Sequence, residues 1–265
     1  MEDKLFPIII LAVVGILVLG WPLIEQAITP AEVVRYYERP ENLTDCADAA
    51  WAELLRGNER FIQGEKVARD WSGLREHHEA GQWPFVSIVS CSDSRFSPEV
   101  VFDQGIGDVF IVRTAGNTVA ELALGSLEFS VNVLGTPLIV VLGHEGCGAV
   151  HATVDHQKGV LQLPFTPDKL VSVVVEIVPA ADKAIATGKT DIELREYATR
   201  LNAIFVAQEI LTYAAGIKEA VARGEVVVIG AKNMFDGTIA KLFRVDSGNL
   251  SPFMRTPGIA GGCCS

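Results

Sequence analysis

Three side chains that can bind a metal ion stand where two apolar runs of the chain end. Cys91 follows the first run and opens the motif CSDSR, and His144 and Cys147 follow the second run in GHEGCG. Cysteine and histidine are common zinc ligands, and a catalytic zinc keeps three protein ligands with a fourth position open to water. The other cysteines stand in unrelated contexts and supply no fourth ligand of similar spacing: Cys46, Cys263 and Cys264. We expect Cys46 to be an incidental surface or helix residue.

Two charged residues, Asp93 and Arg95, lie beside the first cysteine. A catalytic zinc lowers the pKa of water to about 7, and a nearby carboxylate can orient the resulting nucleophile. An arginine can hold that carboxylate bidentately. The alternative interpretation is a pair of core thiols, an internal histidine and a surface ion pair of little energy. The joint occurrence of these ligands and charged residues at two strand ends favours the metal site over this alternative.

The elements that must position these side chains follow from hydrophobic patterning. Continuous apolar, β-branched runs predict strands buried on both faces of a parallel sheet, and helical patterns alternate with the later runs. We predict an α/β fold with a mainly parallel central sheet and flanking helices. The carboxyl ends of parallel strands share one edge, so the candidate ligands should meet there. The predicted strands are 85–90, 109–112, 137–143 and 225–231; the predicted helices are 45–63, 119–133, 167–187 and 193–223.

The N-terminus carries a separate signal, because residues 5–24 form an uncharged run. About 20 apolar residues span a bilayer, so the run indicates a membrane anchor or a signal peptide. A buried helix of the fold is a third interpretation. We expect residues 1–27 to be a leader and 28–265 to be the catalytic domain with a flexible C-terminal tail. The net charge of −11 argues against nucleic acid as a partner.

CSDSR followed by GHEGCG resembles the paired motifs of the β-class carbonic anhydrases. The resemblance covers roughly residues 45–245 and includes LLRGNERFIQG, GQWPF, PEVVFDQGIGDVFIVRTAGN and EVVVIGAKNMFDGTI. It implies zinc-dependent, reversible hydration of carbon dioxide to bicarbonate and a proton, with one Zn²⁺ per chain. The implied zinc ligands are Cys91, His144 and Cys147, and the implied catalytic dyad is Asp93 with Arg95.

The same resemblance implies substrate contacts and an oligomer. Gln82 would hydrogen-bond bicarbonate across a dimer interface, and Phe110 and Phe129 would wall the carbon dioxide pocket. The resemblance also implies a helical N-terminal arm on the α/β fold, and assembly as a homodimer or higher oligomer. Ile88 stands where bicarbonate-inhibited members have tryptophan, which implies the form in which Asp93 stays paired with an arginine.

Two other functions fit the same residues. Related proteins hydrolyse carbonyl sulfide or carbon disulfide with the same ligands, and a membrane-anchored zinc protein could serve an inorganic-carbon uptake assembly. Because of the leader, we expect an exported protein that is periplasmic, luminal or anchored at the membrane through residues 5–24.

Overall fold

A computed structural model describes residues 46–163, 169–246 and 249–252. The leader and the C-terminal tail predicted from the sequence lie outside the described residues. A six-stranded sheet has the order β2-β1-β3-β4-β5-β6. The first four strands in this order run parallel, and β5 and β6 join the β4 edge antiparallel. The strands are β1 Val86–Cys91, β2 Val109–Thr114, β3 Leu138–His144, β4 Val227–Asn233, β5 Ile239–Asp246 and β6 Asn249–Pro252.

The four apolar runs predicted as strands form β1 to β4. Of these, β1, β3 and β4 are buried along their whole length, whereas β2, at the edge of the sheet, is partly exposed. The described helices flank the sheet: α1 Ala47–Gln63, α2 Trp71–His77, α3 Pro98–Val101, α4 Glu121–Asn132, α5 Gly148–Gln157, α6 Leu170–Ile185, α7 Asp191–Tyr213 and α8 Ala215–Ala222. None of the helices in the described ranges is both long and apolar enough to cross a membrane.

The single helix predicted over residues 193–223 is wrong, because the chain bends between α7 and α8. Ala214 has a non-helical ψ of 88° at the break. Beyond it, the amide of Gly216 donates to Oε1 of Glu128 on α4 at 3.1 Å. A Cβ at Gly216 would lie 2.5 Å from the side chain of Asn132. The bend therefore lets α8 pack closely against α4.

Apolar packing on both sides of the sheet explains why its central strands are continuous hydrophobic runs. One cluster joins alternate strand residues to α4, α7 and α8, and a second joins the other alternate set to α1. A third cluster packs α5, α6 and α7 around Cys91, which ends β1, and Cys147, which follows β3. Two strand ends and the start of α5 are thereby fixed at one edge of the sheet. The members of this third cluster include Cys91, Cys147, Val150, Ile177 and Ala198.

Candidate metal centre

The structure brings the three candidate ligands together at the carboxyl edge of the sheet. Cys91 is the last residue of β1, and His144 is the last residue of β3. These strands are adjacent and parallel. Cys147 directly precedes α5 after a two-residue turn. One ligand atom from each of the three residues lies within 4.8 Å of the other two, and all three residues are buried.

The imidazole of His144 is oriented to bind a metal through Nε2. Its Nδ1 lies 2.9 Å from the carbonyl oxygen of Glu145, and a carbonyl can only accept, so Nδ1 carries the proton. Nε2 is buried without a hydrogen-bond partner. The ring of Phe96 packs against the imidazole with centroids 4.4 Å apart. A buried nitrogen lone pair within 4.8 Å of two sulfur atoms fits a zinc ion, whose ligand sets commonly combine cysteine and histidine.

The two thiols are electrostatically unequal. The pKa of Cys91 is lowered to about 4, chiefly by a hydrogen bond from Cys147 and further by His144 and by backbone amides. One of these amides is that of Gly116, at 3.3 Å from Sγ. The hydrogen bond that Cys147 donates to Cys91 raises the pKa of Cys147, and so does burial. The pair by itself therefore holds one thiolate, and a divalent cation would stabilise both sulfur atoms as thiolates.

Asp93 and Arg95 form a bidentate pair beside the cluster. Nε and Nη2 of Arg95 donate to Oδ1 and Oδ2 of Asp93 at 2.9 and 2.7 Å, and the Arg95 amide also donates to Oδ1 at 3.0 Å. These bonds lower the pKa of Asp93 to about 2. Oδ2 lies 3.9 Å from Nε2 of His144. An ionised carboxylate is thus held next to the cluster, with its charge already paired.

Arg113 fixes the loop that carries this dyad, and sequence reasoning missed it. From β2, Nε of Arg113 donates to the carbonyl oxygen of Cys91 at 3.0 Å. Its Nη2 donates to the carbonyl oxygens of Asp93 and Phe96 at 2.7 and 3.2 Å. One guanidinium therefore satisfies three backbone acceptors around the CSDSR motif, which holds the dyad in place relative to the end of β1.

A second group that sequence reasoning missed lies behind the turn between His144 and Cys147. Glu196 of α7 contacts both the turn and Lys232 of β4. Burial opposes its ionisation, but hydrogen bonds from Lys232 and from the Gly146 amide outweigh burial and lower the pKa of Glu196. The available sequence signal was a lysine at the end of a buried strand, since such a charge needs a partner.

The expected substrate residues occupy different environments. Phe110 is partly buried in β2, whereas Gln82 is exposed just before β1. Phe129 on α4 is 47% exposed. The described part of a single chain therefore leaves Gln82 and Phe129 at the surface rather than in the buried Cys–His–Cys cluster.

Cys46 differs from its sequence-based interpretation as an incidental surface or helix residue. It is 3% exposed, immediately precedes α1 and is disulfide-bonded. Cys91 and Cys147, by contrast, are free thiols. The sequence concealed this role, because connectivity cannot be read from the spacing of so few cysteines.

Comparison with known proteins finds similarity centred on this site. Residues 86–238 match the family model for carbonic anhydrase. Carbonic anhydrase 2 of Mycobacterium tuberculosis is 36% identical over 204 residues, which cover 76% of this chain and 95% of that protein. The matched region contains both the CSDSR and the GHEGCG motifs.

Solved structures share the fold at lower identity. The β-carbonic anhydrase CcaA gives a TM-score of 0.57 at 21% identity, covering 78% of this chain and 93% of that chain. One of two β-carbonic anhydrases from Sordaria macrospora, described as tetrameric, gives a TM-score of 0.55 at 23% identity, covering 65% of this chain and 91% of that chain.

Proposed function

The chain belongs to the carbonic anhydrase family, in its β class, and from this premise we propose that Cys91, His144 and Cys147 hold its zinc ion. The enzyme catalyses the reversible hydration of carbon dioxide to bicarbonate and a proton, with zinc as cofactor. The proposal rests on the buried, unpartnered Nε2 of His144 beside two thiol sulfurs. Zinc in such a site supplies hydroxide at neutral pH by lowering the pKa of water. The matching relatives are named carbonic anhydrases, which favours carbon dioxide over its sulfur analogues.

Asp93 acts on the oxygen nucleophile. Its carboxylate is ionised at any working pH, because Arg95 lowers its pKa to about 2. A carboxylate only accepts hydrogen bonds, so Asp93 accepts one from the O–H of the nucleophile. This hydrogen bond orients a lone pair of the nucleophile's oxygen towards carbon dioxide. The role of Arg95 is to fix both carboxylate oxygens, which keeps Asp93 off the metal.

Substrate binding is assigned to the remaining candidates. Phe110 and Phe129 offer apolar surface to carbon dioxide, and Gln82 offers an amide to bicarbonate. Gln82 and Phe129 are exposed in a single chain, which fits a pocket completed by a second copy in a homodimer or larger oligomer. The tetrameric description of the Sordaria relatives supports such an assembly.

The domain boundaries and the location belong to the same proposal. Residues 1–27 are a leader that exports the catalytic domain, residues 28–265, to a periplasmic, luminal or membrane-anchored position. Two observations support export: residues 5–24 carry no charge, and Cys46 is disulfide-bonded. Disulfides persist in oxidising compartments and are rare in the cytosol.

Replacement of Asp93 by asparagine tests the catalytic role. The amide has one acceptor oxygen and two donor hydrogens, so it cannot satisfy Arg95 and also accept from the nucleophile in the same way. We expect the full-length variant to retain zinc and to hydrate carbon dioxide about 100-fold more slowly in stopped-flow assays. Asp246→Asn is the matched control, because Asp246 also pairs with an arginine two residues away, far along the chain from the motifs. An Asp93→Asn protein with wild-type turnover would show that the dyad does not serve the reaction.

Cell fractionation tests the location. Cells would make either the full chain or a version that lacks residues 1–27, and each fraction would be assayed for zinc-dependent hydration. Export predicts activity in the membrane or extracytoplasmic fraction with the full chain alone. Equal cytoplasmic activity from both versions would refute the proposal that residues 1–27 export the catalytic domain.

A further inference from the structure

Glu196 reaches from α7 to the turn that separates two of the proposed zinc ligands. Its Oε1 accepts a hydrogen bond from the amide of Gly146 at 3.0 Å. Its Oε2 accepts from the ammonium of Lys232, which lies on β4 beside β3. His151 of α5 lies against the same carboxylate, with Nε2 at 3.3 Å from Oε1. One side chain thus joins α7 to the turn and to the neighbouring strand.

The turn itself depends on partners from other elements. Gly146 stands between the two ligands with a φ of 64°, and a Cβ there would lie 2.8 Å from the ring of Phe235. The amide of Glu145 donates to the carbonyl oxygen of Asn233 at 2.8 Å. The carbonyl oxygen of Gly146 accepts from Nη2 of Arg95 at 3.3 Å. Glu196 provides the corresponding support for the Gly146 amide.

The chemistry of this position requires a carboxylate. Side-chain exposure is only 19% for Glu196 and 8% for Lys232, so an unpaired charge on either would be costly. Gly146 and Lys232 each present a donor, and a carboxylate accepts from both at once. A carboxamide has one acceptor oxygen and would leave either a backbone amide or an ammonium group unmatched.

We propose that Glu196 is a positioning residue of the metal centre, and that it sets the spacing of His144 and Cys147 through the Gly146 amide. Lys232 keeps the carboxylate charged and aimed at the turn. The inference rests on the proposed zinc site, because it concerns the accuracy with which two of its ligands are held. It concerns the chain's affinity for zinc and the geometry of the ligand set, rather than the chemical step itself.

The variant Glu196→Gln tests this role with readouts other than turnover. Competition with a chromophoric chelator gives the affinity for zinc, and the absorption spectrum of the cobalt(II)-loaded protein reports the coordination geometry. Loss of a side chain that supports metal ligands costs about 10- to 100-fold in metal affinity. We expect a loss in that range and a changed cobalt(II) spectrum.

Two further variants separate positioning from general destabilisation. Asp155→Asn is the control, because Asp155 joins α5 to α7 through both oxygens to Nη2 of Arg195 at 2.8 Å without touching the turn. It should lower the free energy of unfolding and leave zinc affinity unchanged. The double variant Glu196→Gln/Lys232→Met removes the unmatched ammonium, so the amide oxygen can again accept from Gly146. We expect it to recover most of the lost affinity.

The outcomes decide the inference without ambiguity. Wild-type zinc affinity and spectrum in Glu196→Gln would overturn it, as would equal changes in Asp155→Asn. If Glu196→Gln does not fold, the comparison passes to two double variants, Glu196→Gln/Lys232→Met and Glu196→Leu/Lys232→Met, of which only the first can accept a hydrogen bond from the Gly146 amide. Equal zinc affinity in these two variants would overturn the inference. Cys147→Ser belongs in the same titration: wild-type affinity there would refute the zinc site itself, whereas loss of zinc there with no effect at Glu196 would refute only the positioning role.

Discussion

Glu209 lies in an acidic cavity away from the metal centre, and its replacement by glutamine should stabilise the protein in a pH-dependent way. The cavity, of about 650 Å³, is lined between α4, α6 and α7 by several carboxylates, and none of the described lining residues is basic. Oε2 of Glu209 is buried without a hydrogen-bond partner. The carboxylates that line the cavity are Glu121, Glu128, Glu176 and Glu209.

The expected magnitude follows from the raised pKa. Burial first, and then the charge of Glu176, raise the pKa of Glu209 from 4.5 to about 7. At full burial this difference corresponds to about 3 kcal/mol, but the side chain is only half-buried, so screening by solvent reduces it to about 1 kcal/mol. Below pH 4.5 both states bind the proton. As the pH rises towards 7 the unfolded chain releases its proton first, so stability falls, and above pH 7 the loss is complete.

Urea unfolding of the wild type and of Glu209→Gln at pH 5 and pH 8 measures this effect. The variant should gain about 1 kcal/mol over the wild type at pH 8, or about 3 °C in Tm, and much less at pH 5. Glu219→Gln on the exposed face of α8 is the matched control and should show no pH-dependent gain. An equal gain at both pH values, or the same pattern in the control, would contradict the raised pKa of Glu209.

Three further results are expected. Arg95→Lys should leave hydration between the wild-type and Asp93→Asn rates in stopped-flow assays, since lysine keeps the charge but loses the bidentate geometry. Gly230→Val should lower the free energy of unfolding by about 3 kcal/mol in urea titrations, because a Cβ there would lie 1.9 Å from the ring of Phe243. Non-reducing peptide mapping should find Cys46 in a disulfide-linked peptide, and a free Cys46 in the exported protein would contradict the disulfide.

The parallel half of the sheet was predictable because burial on both faces leaves an unbroken apolar run. The antiparallel edge was not, because β5 contains Lys241 and Arg244 among its apolar residues. The guanidinium of Arg244 pairs with Asp48 on α1 and with Asp246. Asp48 is 196 residues from Arg244 in the sequence. Local patterning therefore gave no indication that a strand with these charges would join the sheet.

The candidate site likewise contains residues that were predictable from the sequence and residues that were not. Cys91, His144 and Cys147 were predictable because their residue types and their positions at strand ends already specify metal chemistry. Glu196 was not, since it lies within a helix where charged residues ordinarily face solvent, and its contact with Gly146 spans 50 residues of sequence. The α7–α8 bend was hidden for a similar reason, because it depends on a contact with α4 rather than on a proline.

The most direct test of the account is the zinc content of the purified wild-type chain and of Cys147→Ser, measured together with stopped-flow hydration of carbon dioxide. A hydroxyl is a far weaker zinc ligand than a thiolate, and only two of the proposed protein ligands would remain. We predict about one zinc ion per wild-type chain, and loss of most of the zinc and of the activity in the variant. Full zinc occupancy in Cys147→Ser would contradict the assignment of the metal centre.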